Sequence, residues 1–340
     1  MSATYTCKCP TCGAYLTWEP GTRSLVCPYC SASYSEEQLQ QFTAEQEAAP
    51  AGGLREYHCT SCGAQIVTEE TTAATRCYYC HSPVVLTDRL TGEFAPDGMI
   101  PFALDRAAAE QAFEKYLKSH RFVDRRFFTA DQREMLSGVY YPYWLGDFSG
   151  TADFEGTGTR VSTTTRGNTI ITTTRYFSVH RTGELSFRQV VRKALGKADR
   201  LLSDGIHPYR LAESADCAPG YLSGFLAEKR DVDADAAQAD MVQEVTGYAP
   251  KLMENRGTFS TLKGKTVFRL GGARLRYLLL PAWVLTYKGE KGKPFYFMLN
   301  GQTGKACGKL PVSWGKLLAW SAALCAAVAG LLCAGGAWLW

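Results

Sequence analysis

The sequence is short of the groups that most enzymes rely on. It holds five histidines, His58, His81, His120, His180 and His207, and none stands in an H-E-x-x-H or comparable spacing. It also lacks a complete phosphate loop. Gly264-Lys265-Thr266 ends like one, but Phe259 stands where the opening glycine belongs, so the backbone amides that cradle phosphate are not offered. The run Asp231-Val232-Asp233-Ala234-Asp235 misses the glycine and the glutamate that a calcium loop needs at its sixth and twelfth positions. It reads instead as a helix start favoured by the macrodipole. No catalytic constellation is found, and the chain is not expected to be an enzyme.

Charge bias is small as well. The net charge is +4, and residues 1–90 carry five Lys/Arg against nine Asp/Glu. A surface that holds nucleic acid through its phosphates needs the opposite balance, because counterion release at Lys and Arg supplies most of that affinity. Met1 to Pro20 has neither a basic n-region nor an apolar h-region, so no secretory signal, and with it no oxidising compartment, is expected.

What the chain does have is cysteine in a fixed pattern. Cys9-Pro10-Thr11-Cys12-Gly13 closes at Cys27-Pro28-Tyr29-Cys30, and Cys59-Thr60-Ser61-Cys62-Gly63 closes at Cys77-Tyr78-Tyr79-Cys80. Adding fifty to each position of the first copy gives the second, and Ala14/Ala64 and Glu19/Glu69 obey the same rule. The pattern reads as a tandem repeat. A unit this short lies far below the roughly 40 residues under which a chain needs a staple to fold. Four thiolates from two C-x2-C knuckles suit tetrahedral zinc, whose binding supplies the missing stability. The ligands expected are Cys9, Cys12, Cys27 and Cys30 for one structural zinc ion, and Cys59, Cys62, Cys77 and Cys80 for a second. Iron in a rubredoxin-like site uses similar knuckles. Two disulfides per unit would require the oxidising compartment that the N-terminus does not announce. Cys7, His58 and His81 have no counterparts in the other copy and read as bystanders.

Within each unit, short strands are expected at Ala14 to Trp18 and Ser24 to Cys27, joined at Pro20-Gly21, and at Gln65 to Thr68 and Thr75 to Cys77. Ser35-Glu36-Glu37-Gln38 fits a capping box opening a helix to about Gln46. Ala48 to Gly53 reads as a linker.

Beyond a strand at Val84 to Leu86 and a boundary at Leu90 to Gly98, residues 99–311 read as two related α+β halves. Asp105 is the expected N-cap of a helix with Ala109, Phe113, Tyr116 and Leu117 on its apolar face. Tyr140-Tyr141-Pro142-Tyr143-Trp144-Leu145 reads as an aromatic strand. The second half offers a helical stretch from Tyr221 to Lys229 and the strand Leu280-Pro281-Ala282-Trp283. Proline inside an apolar strand is confined to an edge or bulge, so Pro142 and Pro281 are expected where strands bend or where the halves meet. Between the halves, Thr157 to Phe177 reads as a long hairpin turning at Gly167-Asn168. Its Arg160, Arg166 and Arg175 are edge charges or a basic ridge. Asn300-Gly301 signals a type I′ turn.

Leu317 to Trp340 then runs 24 residues without a charge, long enough as a helix to cross a bilayer. Trp314 and Trp320 stand near one end, Trp338 and Trp340 near the other. Lys305, Lys309 and Lys316 precede the span, which by the positive-inside rule places the soluble body in the cytoplasm as a tail-anchored, single-pass protein of the cell membrane. A buried C-terminal helix is the competing reading. Small residues such as Ala326, Gly330 and Ala334 would let helices approach and form homo-oligomers.

The twin ribbons, the strands around Trp144 and Trp283, the Tyr221 to Lys229 stretch and the Asn300-Gly301-Gln302-Thr303-Gly304-Lys305 turn resemble a group of bacterial membrane proteins. Its members are described as carrying a transcription-factor-IIB-type zinc ribbon or as related to the replication-restart helicase PriA. The resemblance implies a zinc-ribbon membrane protein and brings no activity with it.

The sequence thus predicts an α+β chain. Two small β zinc ribbons (1–34 and 57–90, with a helix and linker at 35–56) precede a duplicated α+β domain (99–311, halves about 99–200 and 201–311) and a single C-terminal transmembrane helix (317–340). The function expected is a membrane-anchored adaptor that binds a protein partner through its ribbons, with two structural zinc ions as cofactors and the bilayer as its other partner. A membrane-tethered nucleic-acid-binding regulator is the alternative.

Overall fold

The computed structural model describes residues 4–5, 7–35, 38, 57–58, 65–66, 68, 71–76, 82–86, 90, 92–123, 136–196, 200–255, 257–288, 294–310 and 312–338. The chain is a mixed α+β protein with a cysteine-rich N-terminal segment and one apolar helix near its C-terminus. The N-terminal region holds β1 (Thr4–Tyr5), β2 (Thr17–Glu19), β3 (Ser24–Val26), β4 (Ser33–Tyr34), β5 (Tyr57–His58), β6 (Gln65–Ile66), β7 (Thr72–Arg76) and β8 (Pro83–Leu86). Then come β9 (Gly98–Met99), helix α1 (Arg106–Ser119), β10 (Ser137–Arg166), β11 (Thr169–Lys193), α2 (Arg200–Gly205), α3 (Pro219–Leu222) and β12 (Leu226–Glu228). The chain closes with α4 (Ala234–Met253), β13 (Thr261–Lys288), β14 (Pro294–Asn300), β15 (Ala306–Gly308) and α5 (Trp314–Trp338).

These elements divide into two compact units, 1–141, 197–229 and 279–340 in the first, and 142–196 with 230–278 in the second. The first unit is built on strands in the order β1-β8-β7-β12-β10-β13-β14-β15, with β9 on β13. β12 runs parallel to β10 and antiparallel to β7. Its aromatic core gathers Phe102, stacked on Phe225 at 4.2 Å, and Tyr140 and Trp283, which meet Phe102 edge-on at 5.0 and 5.3 Å. Helix α1 forms as its sequence dictates: Asp105 accepts a hydrogen bond from the Ala108 amide at 2.7 Å, and Ala109, Phe113 and Leu117 are buried with Tyr116 half-buried.

In the second unit β10 and β11 form a long antiparallel hairpin from Tyr143↔Lys193 to Arg166↔Thr169, with a bulge between Gly146 and Phe148. It turns at Gly167, whose φ of 60° is the left-handed conformation that such turns demand. The outer half of the hairpin is exposed, including Arg166 and Arg175, whereas Arg160 lies over the rings of Phe177 and Phe259. Helix α4 buries Ala237, Met241, Val245, Ala249 and Met253, one residue per turn along a single stripe. Its N-cap position falls on Asp233, so the acidic run opens a helix as its sequence suggests.

Two local expectations are corrected. Tyr221 to Lys229 is not one helix: α3 ends at Leu222, Gly224 takes φ 93°, and Leu226–Glu228 is a strand. Gly224 breaks the helix because it adopts a conformation few other residues tolerate. Asn300-Gly301 does not form a type I′ turn; the left-handed residue is Gly304 (φ 74°), and the Asn300 side chain accepts from the amides of Gln302 and Thr303, both at 2.9 Å. Pro142 and Pro281 lie inside β10 and β13, the strands in which the sequence places them. Pairing of β10 with β12 reaches Tyr140 and pairing with β11 starts at Tyr143. Pairing of β13 with β14 starts at Ala282. Each proline, lacking an N–H, stands where a strand changes partners.

The tryptophan two residues after each proline makes the same contact. Trp144 Nε1 donates to the carbonyl of Val232 at 2.9 Å, and Trp283 Nε1 donates to that of Leu104 at 3.1 Å. Val232 and Leu104 each directly precede the N-cap aspartate of a helix, Asp233 of α4 and Asp105 of α1.

Candidate metal centre

The first cysteine unit is shaped by two backbone loops of one design. The Gly13 amide donates to the Cys9 carbonyl (2.8 Å) and the Cys9 amide to the Ala14 carbonyl (2.7 Å). In the second loop the Ser31 amide donates to the Cys27 carbonyl (2.9 Å) and the Cys27 amide to the Ala32 carbonyl (2.8 Å). Gly13 (φ 74°) and Ser31 (φ 58°) occupy the same left-handed position. Glycine after the Cys12 knuckle adopts it without strain. At Ser31 a residue with a side chain takes the same conformation, which its type does not announce.

These loops bring the sulfurs of Cys9, Cys12, Cys27 and Cys30 within 4.8 Å of one another. Cys9 and Cys30 lie 3.6 Å apart, and Cys12 and Cys27 3.5 Å. A tetrahedral ion with metal–sulfur bonds of ~2.3 Å places its ligands roughly 3.8 Å apart, so the four sulfurs fit a metal ion closely. All four cysteines are free thiols, not paired in disulfides. Cys9 and Cys27 are buried, while Cys12 and Cys30 face solvent.

Tyr34 borders the cluster, with its hydroxyl 3.4 Å from Cys9 Sγ and 3.1 Å from the Thr11 hydroxyl. That hydroxyl, with the amides of Cys12 and Thr11, lowers the Cys9 pKa to about 6. The Cys30 amide, which donates to Cys27 Sγ at 3.5 Å, lowers Cys27 as well. Cys12 moves the other way, to about 12: the Ala14 amide favours its thiolate, but desolvation and the sulfurs of Cys30, Cys27 and Cys9 outweigh it. Two of the thiols are thus biased toward the thiolate, and Cys12 and Cys30 toward the protonated form. A divalent cation at the centre reverses that for the second pair, because coordination deprotonates thiols.

The unit is anchored to its surroundings. The Trp18 amide donates to the Ser223 carbonyl at 3.1 Å, the Ser223 hydroxyl donates to the Leu16 carbonyl at 2.5 Å, and the Trp18 ring meets Tyr221 edge-on at 4.7 Å. A cavity of about 820 Å³ opens beside this contact, lined among others by Trp18, Arg76, Arg106, Phe225 and Trp283.

Cys59, Cys62, Cys77 and Cys80 lie outside the described residues, as does most of the expected 35–46 helix. At the head of that helix the Ser35 amide donates to Gln38 Oε1 at 2.9 Å, the reciprocal half of a capping box. Backbone pairs around the second cysteine set follow the first at an offset of fifty. Lys8↔Tyr15 is matched by His58↔Gln65, Leu25↔Tyr34 by Thr75↔Val84, and Val26↔Ser33 by Arg76↔Pro83.

Helix α5 is long and apolar enough to cross a membrane, and from Trp314 to Leu332 none of it is buried. No protein-family model matches the chain, and no solved structure matches it. The transcription-factor-type and PriA labels therefore find no family model behind them. One relative is decisive: the chain is 34% identical over 322 residues to YdjG of Bacillus subtilis, described as uncharacterized, with 92% of each chain covered. The chain belongs to the YdjG family. This YdjG-family chain thus joins a four-cysteine cluster fit for a metal to a helix fit for a bilayer.

Proposed function

We propose that the protein is a membrane-anchored adaptor, held in the cell membrane by α5 with its body in the cytoplasm, whose zinc-ribbon region binds a protein partner. The observation that carries this reading is the anchored position of the first cysteine unit. Its metal has no open coordination place for chemistry once four thiolates are bound, so its role is structural. The unit sets Trp18 against Tyr221 and so forms one wall of the neighbouring cavity.

Zinc is the ion proposed, with one at Cys9, Cys12, Cys27 and Cys30. The fifty-residue offset in strand register supports a tandem repeat and a second ion at Cys59, Cys62, Cys77 and Cys80. A duplicated α+β domain is supported by the matching Pro-x-Trp strands. Each of their tryptophans donates to the residue before the aspartate at a helix N-cap position.

The test is metal analysis combined with quantitative affinity purification of the full-length protein from detergent extract. Two zinc ions per chain are expected, and a set of partners that is lost both with Cys9→Ser/Cys12→Ser and with Arg106→Glu at the cavity wall. A metal-free protein, or partners unaffected by either change, overturns the reading. Salt-dependent binding of DNA or RNA by the full chain would replace it with the nucleic-acid alternative.

A further inference from the structure

The base of α5 is tied to the loop that follows α1. Val123 bridges Val312, the Ser313 amide donates to the Phe122 carbonyl at 2.7 Å, and Lys316 Nζ donates to the Val123 carbonyl at 2.8 Å. The Arg121 guanidinium lies over the Trp320 ring, 5.6 Å from its centre. These contacts enclose a cavity of about 290 Å³, lined by Tyr116, His120, Arg121, Phe122, Leu310 and Val312 among others.

Three features define what this cavity would take. Its lining is chiefly apolar, and its ionisable side chains, Tyr116, His120 and Arg121, include no carboxylate among the described residues. It is continuous with the first turns of a helix fit to enter a bilayer, and Trp314 (71% exposed) and Leu318 (68% exposed) lead away from it along that helix. The cations at hand, Arg121 and Lys316, stand at the height where lipid phosphates would lie if α5 spans the membrane, a level that Trp314 and Trp320 also mark. A basic pocket at the root of a span is the arrangement that binds lipid headgroups.

We infer that this cavity is a binding site for the headgroup of one anionic phospholipid, with Arg121 facing its phosphate and its acyl chains lying along the exposed face of α5. The volume suits a headgroup and not a whole lipid. Arg121 stacked on Trp320 is pre-oriented, so little side-chain entropy is lost on binding. The inference rests on α5 being a membrane anchor, and the test separates the two.

The full-length protein is purified in neutral detergent, and retained phosphatidylglycerol and phosphatidylcholine are counted by native mass spectrometry. The protein is also floated with vesicles of phosphatidylcholine alone. Wild type should retain phosphatidylglycerol preferentially. Arg121→Gln should lower that retention about fivefold, the weight of one cation near an anionic surface. Val312→Trp, which keeps every charge but fills the cavity, should lower it too, whereas Lys118→Gln, an exposed cation one turn away on α1, should leave it unchanged. Equal retention of both lipids, an effect of Lys118→Gln as large as that of Arg121→Gln, or full retention by Val312→Trp overturns the site while leaving the anchor intact. Failure to float with phosphatidylcholine vesicles overturns the anchor and the site together.

Discussion

His207 shows how one buried side chain ties stability to pH. Burial is the main cause that lowers its pKa to about 4, with Lys305 adding to the effect and Asp204 opposing it. Unfolded, the same imidazole titrates near 6.5. Between these values the unfolded chain binds a proton that the native protein refuses, so native stability falls as pH drops from above 6.5 toward 4. The loss amounts to about 3 kcal/mol. Denaturant titrations should show this slope in wild type and a much flatter one in His207→Gln. Gly224 makes a second prediction at this scale. With φ 93° and the Thr17 side chain 3.4 Å from where a Cβ would sit, Gly224→Ala should cost about 1–2 kcal/mol in thermal unfolding. Nothing in the sequence marked this glycine as a helix breaker, and the stretch around it read as continuous helix.

At the scale of elements, the sequence was most legible where one local rule decides the outcome. Asp105 announced the start of α1, the spacing of Ala109, Phe113 and Leu117 announced its buried face, and Gly167-Asn168 announced the hairpin turn. Replacing Asp105 with alanine should cost about 1 kcal/mol, read by thermal denaturation. The gathering of the four cysteines of the first unit was likewise plain from their C-x2-C spacing. What the sequence did not reveal depends on distant partners. The proximity of Tyr34 to Cys9, the anchoring of Trp18 on Ser223 and the partner changes at Pro142 and Pro281 come from residues far apart in the chain. The proposed metal gives a direct test of the anchoring. Stripping it with a chelator should loosen the first unit and release Trp18 from Tyr221, shifting tryptophan emission to longer wavelength, and zinc should reverse the shift. Emission also comes from the other six tryptophans, so Trp18→Phe, which should abolish most of the shift, assigns it to Trp18.

At the scale of the whole molecule, the membrane reading concerns one element. Of the described helices only α5 is long and apolar enough to span, and its root is bound to the α1 loop through Ser313 and Lys316. Deleting residues 312–340 should move the protein from the membrane pellet to the soluble fraction while leaving the metal bound. Retention in the pellet under alkaline carbonate would contradict the anchor.

The reciprocal tryptophans carry one more consequence. Trp144 closes onto the loop that opens α4, and Trp283 onto the loop that opens α1, so each stretch on either side of residue 200 finishes the other's helix entry. Neither fragment is self-sufficient. Cleaved near that point, the pieces should fold only when produced together, reassembling by fragment complementation and co-purifying from detergent extract, and a newly made chain has to wait for its last third before its first helix is sealed.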